Sequence, residues 1–319
     1  MYSHATKPGA GEPVGQLDAK DIVKTPRPMQ WVGTVIALLL ASMFLHMLIT
    51  NANLQWRVVG QYLFSHTILS GIALTLELTL LAMLVGLAIG IVVAVMRLSG
   101  NVLLQQISLA WIWFFRGIPP LVQLIFWYNL ASLVSSVSVG VPYGPTFLSW
   151  QTNSLITPFT AALLGLAFTE SAYAAEMIRA GIQAVNRGQV EAAHSLGMTG
   201  GQAMRRIVLP QALRIVIPPI GNDTISMLKF TSLVSVLALP DLLYSAQEIY
   251  ARTYQTIPLL LVATLWYLVL TTVLTVVEHF IERRLRRGHG GGPAATAIRP
   301  ASRWRLMPGW PGSVRKAAP

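Results

Sequence analysis

Glu170, Tyr173, Lys229 and Ser232 are polar or ionisable residues set in stretches otherwise dominated by Leu, Val, Ile and Ala. An ionised side chain inside a bilayer is costly enough that it faces a protein interior or a water-filled path. Two chemistries fit such a set. Glu170 and Lys229, with Tyr173 and Ser232 one turn away, could line a path and meet the ammonium and carboxylate of an amino acid. Alternatively, Glu170 and Lys229 form a structural ion pair or polar network that fixes helix register. Catalysis has little to work with: there is no cysteine, no G-x-S-x-G or H-E-x-x-H pattern, and the six histidines are scattered. An intramembrane enzyme would need an activated nucleophile or a metal cluster, and neither is legible.

The elements that must position these residues follow from composition. The chain of 319 residues is 54% hydrophobic and 11% charged, a polytopic membrane composition rather than a soluble one. A crossing needs about 20 helical residues. Six apolar segments reach that length, at about 31–50, 68–96, 117–137, 157–180, 214–240 and 257–280, so the expected fold is an all-α transmembrane bundle of six spans. The first reads as an uncleaved anchor, because it starts late for a signal peptide and no small-residue cleavage pattern follows. Gly86 and Gly90 give the second a small-xxx-small face suited to close helix packing. Trp111, Trp113, Trp127 and Trp150 read as interfacial anchors.

Lys and Arg are retained on the cytoplasmic side. With both termini inside, every one of them faces the cytoplasm except Arg57, Arg252 and the intramembrane Lys229. The net charge of +11 thus reports topology and lipid contact rather than nucleic acid. Residues 1–30 and the basic tail 286–319 lack the apolar periodicity of a packed domain and are expected to be disordered. At 1.5 Å per helical residue Glu170 lies roughly 14 Å from the Arg179 level, with Asp223 at a similar depth and Lys229 about 9 Å farther out. Glu77 falls near the opposite surface.

The longest internal cytoplasmic connection, about 186–212, is folded rather than merely connecting. Glu191 suits the positive end of a short helix, Gly197 a left-handed C-cap, and Thr199 with Gln202 a capping box for a second helix that Pro210 limits or bends. His194, Arg205 and Arg206 are exposed candidates on it. A structured connection of this length suggests a docking surface.

Glu191, Ala192, Ala193, Gly197, Ile207, Leu209 and Pro210, with Leu196 beside the glycine, stand at the spacing that resembles the EAA loop of permease subunits of ABC importers. From residue 66 to 285 the resemblance narrows to polar amino-acid permeases: Arg116, Gly117 and Pro119; Ala172, Tyr173, Glu176, Arg179, Gly181, Gly188 and Gln189; then "LPQA", "IPP" and "LKFTSL". Ile118, Pro120 and Phe230 depart from the usual residues. The resemblance implies a bacterial inner-membrane subunit of the type I importer fold. Its EAA loop would fit a cleft on cytoplasmic ATP-binding subunits, and a second permease copy or sibling would complete the pathway. An extracytoplasmic substrate-binding protein would deliver an amino acid. The chain has no G-x-x-x-x-G-K-[ST] phosphate loop, so ATP and Mg are expected on the partner and no cofactor on this chain. The competing class is an ion-coupled secondary carrier, which often shows internal inverted repeats; none is visible.

Overall fold

The computed structural model describes residues 28–141 and 146–286. The segments expected to be disordered lie almost wholly outside the described residues. The chain divides into two units, 1–55 and 56–319. In the first, α1 (Pro28–Thr50) is apolar on every face, as a spanning helix is, and a 3-10 turn, Ala52–Leu54, follows it.

The second unit opens with α2 (Trp56–Tyr62) and the long α3 (His66–Leu98), then α4 (Val102–Gly117), α5 (Pro120–Tyr128) and α6 (Leu130–Leu133). Strands β1 (Ser136–Gly140) and β2 (Thr146–Gln151) precede α7 (Thr152–Leu155) and α8 (Pro158–Gln183). Then come α9 (Arg187–Ser195), α10 (Gly200–Ala203), a π-helical turn at Met204–Val208, and α11 (Leu209–Phe230), extended in 3-10 form over Thr231–Leu237. The unit closes with α12 (Leu242–Thr253) and α13 (Thr256–Arg286).

The described chain is mostly helical, with β1 and β2 as the exception to an all-α reading. The apolar run 117–137 is not one helix. Pro119 and Pro120 break it, because proline lacks the N–H that would continue the helix and biases the residue before it away from helical geometry. α4 instead starts at Val102, capped by Asn101 accepting from Leu103 N and Leu104 N, and α5 leaves it at 100°. By length and apolarity, α1, α3 and α13 can cross a membrane, and α4–α5 and α10–α12 can do so as bent pairs. α8, which carries Glu170, Glu176 and Arg179, is the packing centre, set against α3, α4, α5 and α11.

The α3–α8 seam explains the small residues. A Cβ on Gly86 would lie 2.6 Å from Glu170 Cβ and Cγ, and one on Gly90 would lie 2.7 Å from Ala174 Cβ. Hydrogen at these positions lets the backbones approach, the packing reading of the small-xxx-small spacing. Residue numbers rise together along the seam, so α3 and α8 run in the same direction. α11 runs opposite to α8, since Gly181 meets Val216 and Ala212 while Glu170 meets Asp223 farther along. α13 opposes α11, with Tyr267 at Asp241 and Glu278 at Gly221. The turn after α3, the α8–α11 connection and the end of α13 therefore share one end of the bundle.

Trp111 and Trp127 pack within the helical unit. Trp111 Nε1 donates to Ser171 Oγ at 3.0 Å, and both rings pack on Phe168 at centroid distances of 5.3 and 5.2 Å. Trp113 and Trp150 are exposed.

Candidate functional site

The α8–α11 connection is a compact helix, turn, helix. Asn186 caps α9 by accepting from Gly188 N at 2.8 Å, so Glu191 sits in the second turn of α9 rather than at its start. Gly197 ends the helix at φ +79°, a left-handed conformation that favours glycine. Gly197 N donates to His194 O at 2.9 Å and Met198 N to Ala193 O at 3.0 Å, the paired bonds of a Schellman motif. Thr199 and Gln202 form a reciprocal capping box.

Pro210 does not end the second helix. In the π turn Leu209 N reaches back to Met204 O, and the wider turn accommodates the missing N–H of Pro210. Helix therefore continues without interruption from Gly200 into α11. Val208 and Ala212 pack with Val185, supported by Ile182 and Val190, and Gln211 Nε2 donates to Gln189 Oε1 at 2.6 Å. Ala193 and Ala203 are buried, whereas Glu191, Ala192, His194 and Leu196 are exposed, Leu196 at 82%. Leu209 and Pro210 are exposed and Ile207 is half-buried. The connection thus combines a packed attachment to α11 with an unburied leucine and an unburied carboxylate.

The four intramembrane candidates do not form one cluster. Glu170, 2% exposed, is wedged against Gly86 in the α3–α8 seam, with Oε1 lacking a hydrogen-bond partner. The Asp223 side chain of α11 lies close to it. No ion pair joins it to Lys229 among the described residues. Lys229 is exposed, and Ser232 Oγ donates to its backbone carbonyl at 2.7 Å. Tyr173 projects from the open face of α8, where the Arg116 guanidinium lies 4.9 Å from its ring centroid. Near it Arg179 pairs with Glu176 at 2.7 Å. On α11, Asn222, Lys229 and Phe230 are exposed and Asp223 and Ser226 half-buried, a stripe at three- and four-residue spacing.

The Glu170–Asp223 contact was within reach of sequence reasoning, because both residues fall at the same helical depth. The Arg116–Tyr173 contact was not, because Arg116 reads as a flank of a span that begins at 117, whereas it lies in the last turn of α4.

Residues 86–287 match the family described as the binding-protein-dependent transport system inner membrane component. An arginine transport system permease protein of Corynebacterium glutamicum is 39% identical over 282 residues, covering 88% of this chain and 87% of that protein. An L-cystine transport system permease protein of Bacillus subtilis is 34% identical, covering 73% and 92%. Among solved structures, a chain of an amino acid ABC transporter with histidines superposes with TM-score 0.60 at 37% identity, covering 68% of this chain and 94% of that one. A chain of the inward-facing MetNI methionine ABC transporter superposes with TM-score 0.51 at 17% identity, covering 70% and 97%, and shares the fold.

Proposed function

The chain belongs to the family of binding-protein-dependent transport inner membrane components, and we propose that it is the permease subunit of an ATP-driven amino-acid importer. The amino-acid cargo is supported by relatives named for arginine, glutamine and cystine transport. The observation that carries the mechanism is the α9–α10 connection. It presents Glu191, Ala192 and Leu196 outward while Val208 and Ala212 fix it to the base of α11. A push on α9 would reach α11 through packed side chains and an unbroken helix. Ala193, Ile207, Leu209 and Pro210 belong to the attachment, and Gly197 sets the angle between the two helices.

In this reading ATP and Mg are bound by cytoplasmic ATP-binding subunits and this chain performs no chemistry. A second permease copy or sibling faces the open sides of α8 and α11, where Tyr173, Lys229 and Ser232 contribute to the pathway. Glu170 acts one layer behind, through Asp223. A substrate-binding protein delivers the amino acid at the opposite end of the bundle. Six spans, with both termini in the cytoplasm, place the shared end of α3, α8 and α13 on the ATPase side of a bacterial inner membrane.

The test is uptake of labelled arginine, glutamine and cystine into vesicles carrying the chain with its ATP-binding subunit and binding protein. ATP-dependent uptake of one of them supports the reading. Uptake that needs an ion gradient and ignores ATP would replace it with the carrier.

A further inference from the structure

Residues 117–169 contain no Asp, Glu, Lys, Arg or His. Inside that neutral stretch, β1 and β2 sort their side chains by chemistry. Directly paired residues of an antiparallel ladder share a face. Val137 pairs with Trp150 and Val139 with Leu148, while Ser136 pairs with Gln151 and Ser138 with Ser149. Over these four pairs one face is apolar and the other polar; beyond them a β-bulge between Val139 and Gly140 breaks the alternation, and Phe147 stands exposed beside it. The four apolar residues are between 41 and 56% exposed.

A lone two-stranded hairpin is marginal in water, and at the base of this one Thr152 donates its N–H to Ser135 O at 3.1 Å and its hydroxyl to Val134 O. Its two open edges carry unpaired backbone groups, which rules out the hydrocarbon core. Its apolar face argues equally against bulk water. The headgroup region satisfies both demands, and a tryptophan beside aliphatic residues is the usual composition there. A protein partner would be recognised partly by charge complementarity, and this stretch has no charge to offer. The hairpin follows α5 through the short α6, and α5 also leaves Val122, Ile125 and Phe126 exposed.

We propose that β1 and β2 lie flat on the bilayer surface, with the Val137, Val139, Leu148 and Trp150 face against lipid and the serine face toward water. The hairpin then acts as a float that holds the start of α8 at a fixed depth. This inference requires only that the helical unit sits in a bilayer. It is independent of the coupling role of α9.

Because the chain has no cysteine, single-cysteine variants need no background removal. Leu148→Cys and Ser149→Cys, each in the purified full chain, would be labelled with an environment-sensitive fluorophore. Both would be reconstituted in phosphatidylcholine and phosphatidylglycerol vesicles with or without lipids spin-labelled high on the acyl chain. Quenching at 148 should exceed that at 149 by about threefold or more, with blue-shifted emission at 148. Val139→Cys and Ser138→Cys should repeat the contrast if either first variant fails to fold. Equal quenching on the two faces, or none on either, would overturn the proposal. The second result is expected if a binding protein, a second copy or another segment of this chain covers the apolar face.

Discussion

Glu170 lies close to another carboxyl, Asp223, and its Oε1 has no hydrogen-bond partner. Glutamine has the same shape and adds an N–H donor. Glu170→Gln therefore keeps the seam filled and should change stability by less than about 1 kcal/mol. Glu170→Ala should cost about 2–4 kcal/mol by leaving a cavity against Gly86. Thermal unfolding of the purified chain in detergent separates the two, and equal losses would mean that the shape of the side chain at 170 does not matter to the seam. At Gly197 the positive φ makes Gly197→Val cost roughly 1–2 kcal/mol locally. Membrane yield should stay near wild type while ATP-driven uptake falls. Normal uptake would show that the turn angle does not matter.

Among the elements, the α3–α8 seam depends on two hydrogens. Gly86→Leu pushes side-chain atoms into Glu170 and the Ala167 carbonyl, and overpacking of this kind costs about 1–3 kcal/mol. A lowered Tm and poorer assembly are expected, and an unchanged Tm would mean that the helices stand farther apart than described. Asp241 holds the corner between α11 and α12: fully buried, it accepts from Tyr244 N at 2.9 Å, Leu243 N at 3.2 Å and the Tyr267 hydroxyl at 3.3 Å. Asp241→Ala should destabilise by about 2 kcal/mol or more, and Asp241→Asn by much less, in the same unfolding assay.

These elements also mark what the sequence could tell. Apolar length located α3, α8, α11 and α13 to within a few residues at most of their ends. Turn chemistry predicted the left-handed Gly197 and the Thr199–Gln202 box, since both signals are local. The α4–α5 corner was hidden because Arg116 and the two prolines read as the entry to a span, whereas they stand at the corner between two helices. The hairpin was hidden because alternating Val and Ser over so few residues is too short a signal against a neighbouring apolar helix. Glu170 and Lys229 looked like a pair because depth along a helix is legible and direction around it is not.

At the scale of the whole molecule, alternating helix directions bring the end of α3, the α9–α10 connection and the end of α13 together. One face of the unit can therefore receive a cytoplasmic partner, while the neutral hairpin and the start of α8 lie at the other end. The central claim is that α9 passes work from a bound ATPase to α11, and its exposed Leu196 is the residue whose loss should sever that link without disturbing the bundle. The decisive measurement is uptake and ATP hydrolysis in the same vesicles for the wild-type complex and for Leu196→Asp, with subunit stoichiometry checked in each. The account predicts that the variant chain inserts and folds normally but loses at least about tenfold in ATP-driven uptake, with binding-protein stimulation of ATP hydrolysis lost in parallel. Full uptake and full stimulation in a complex carrying Leu196→Asp would contradict it.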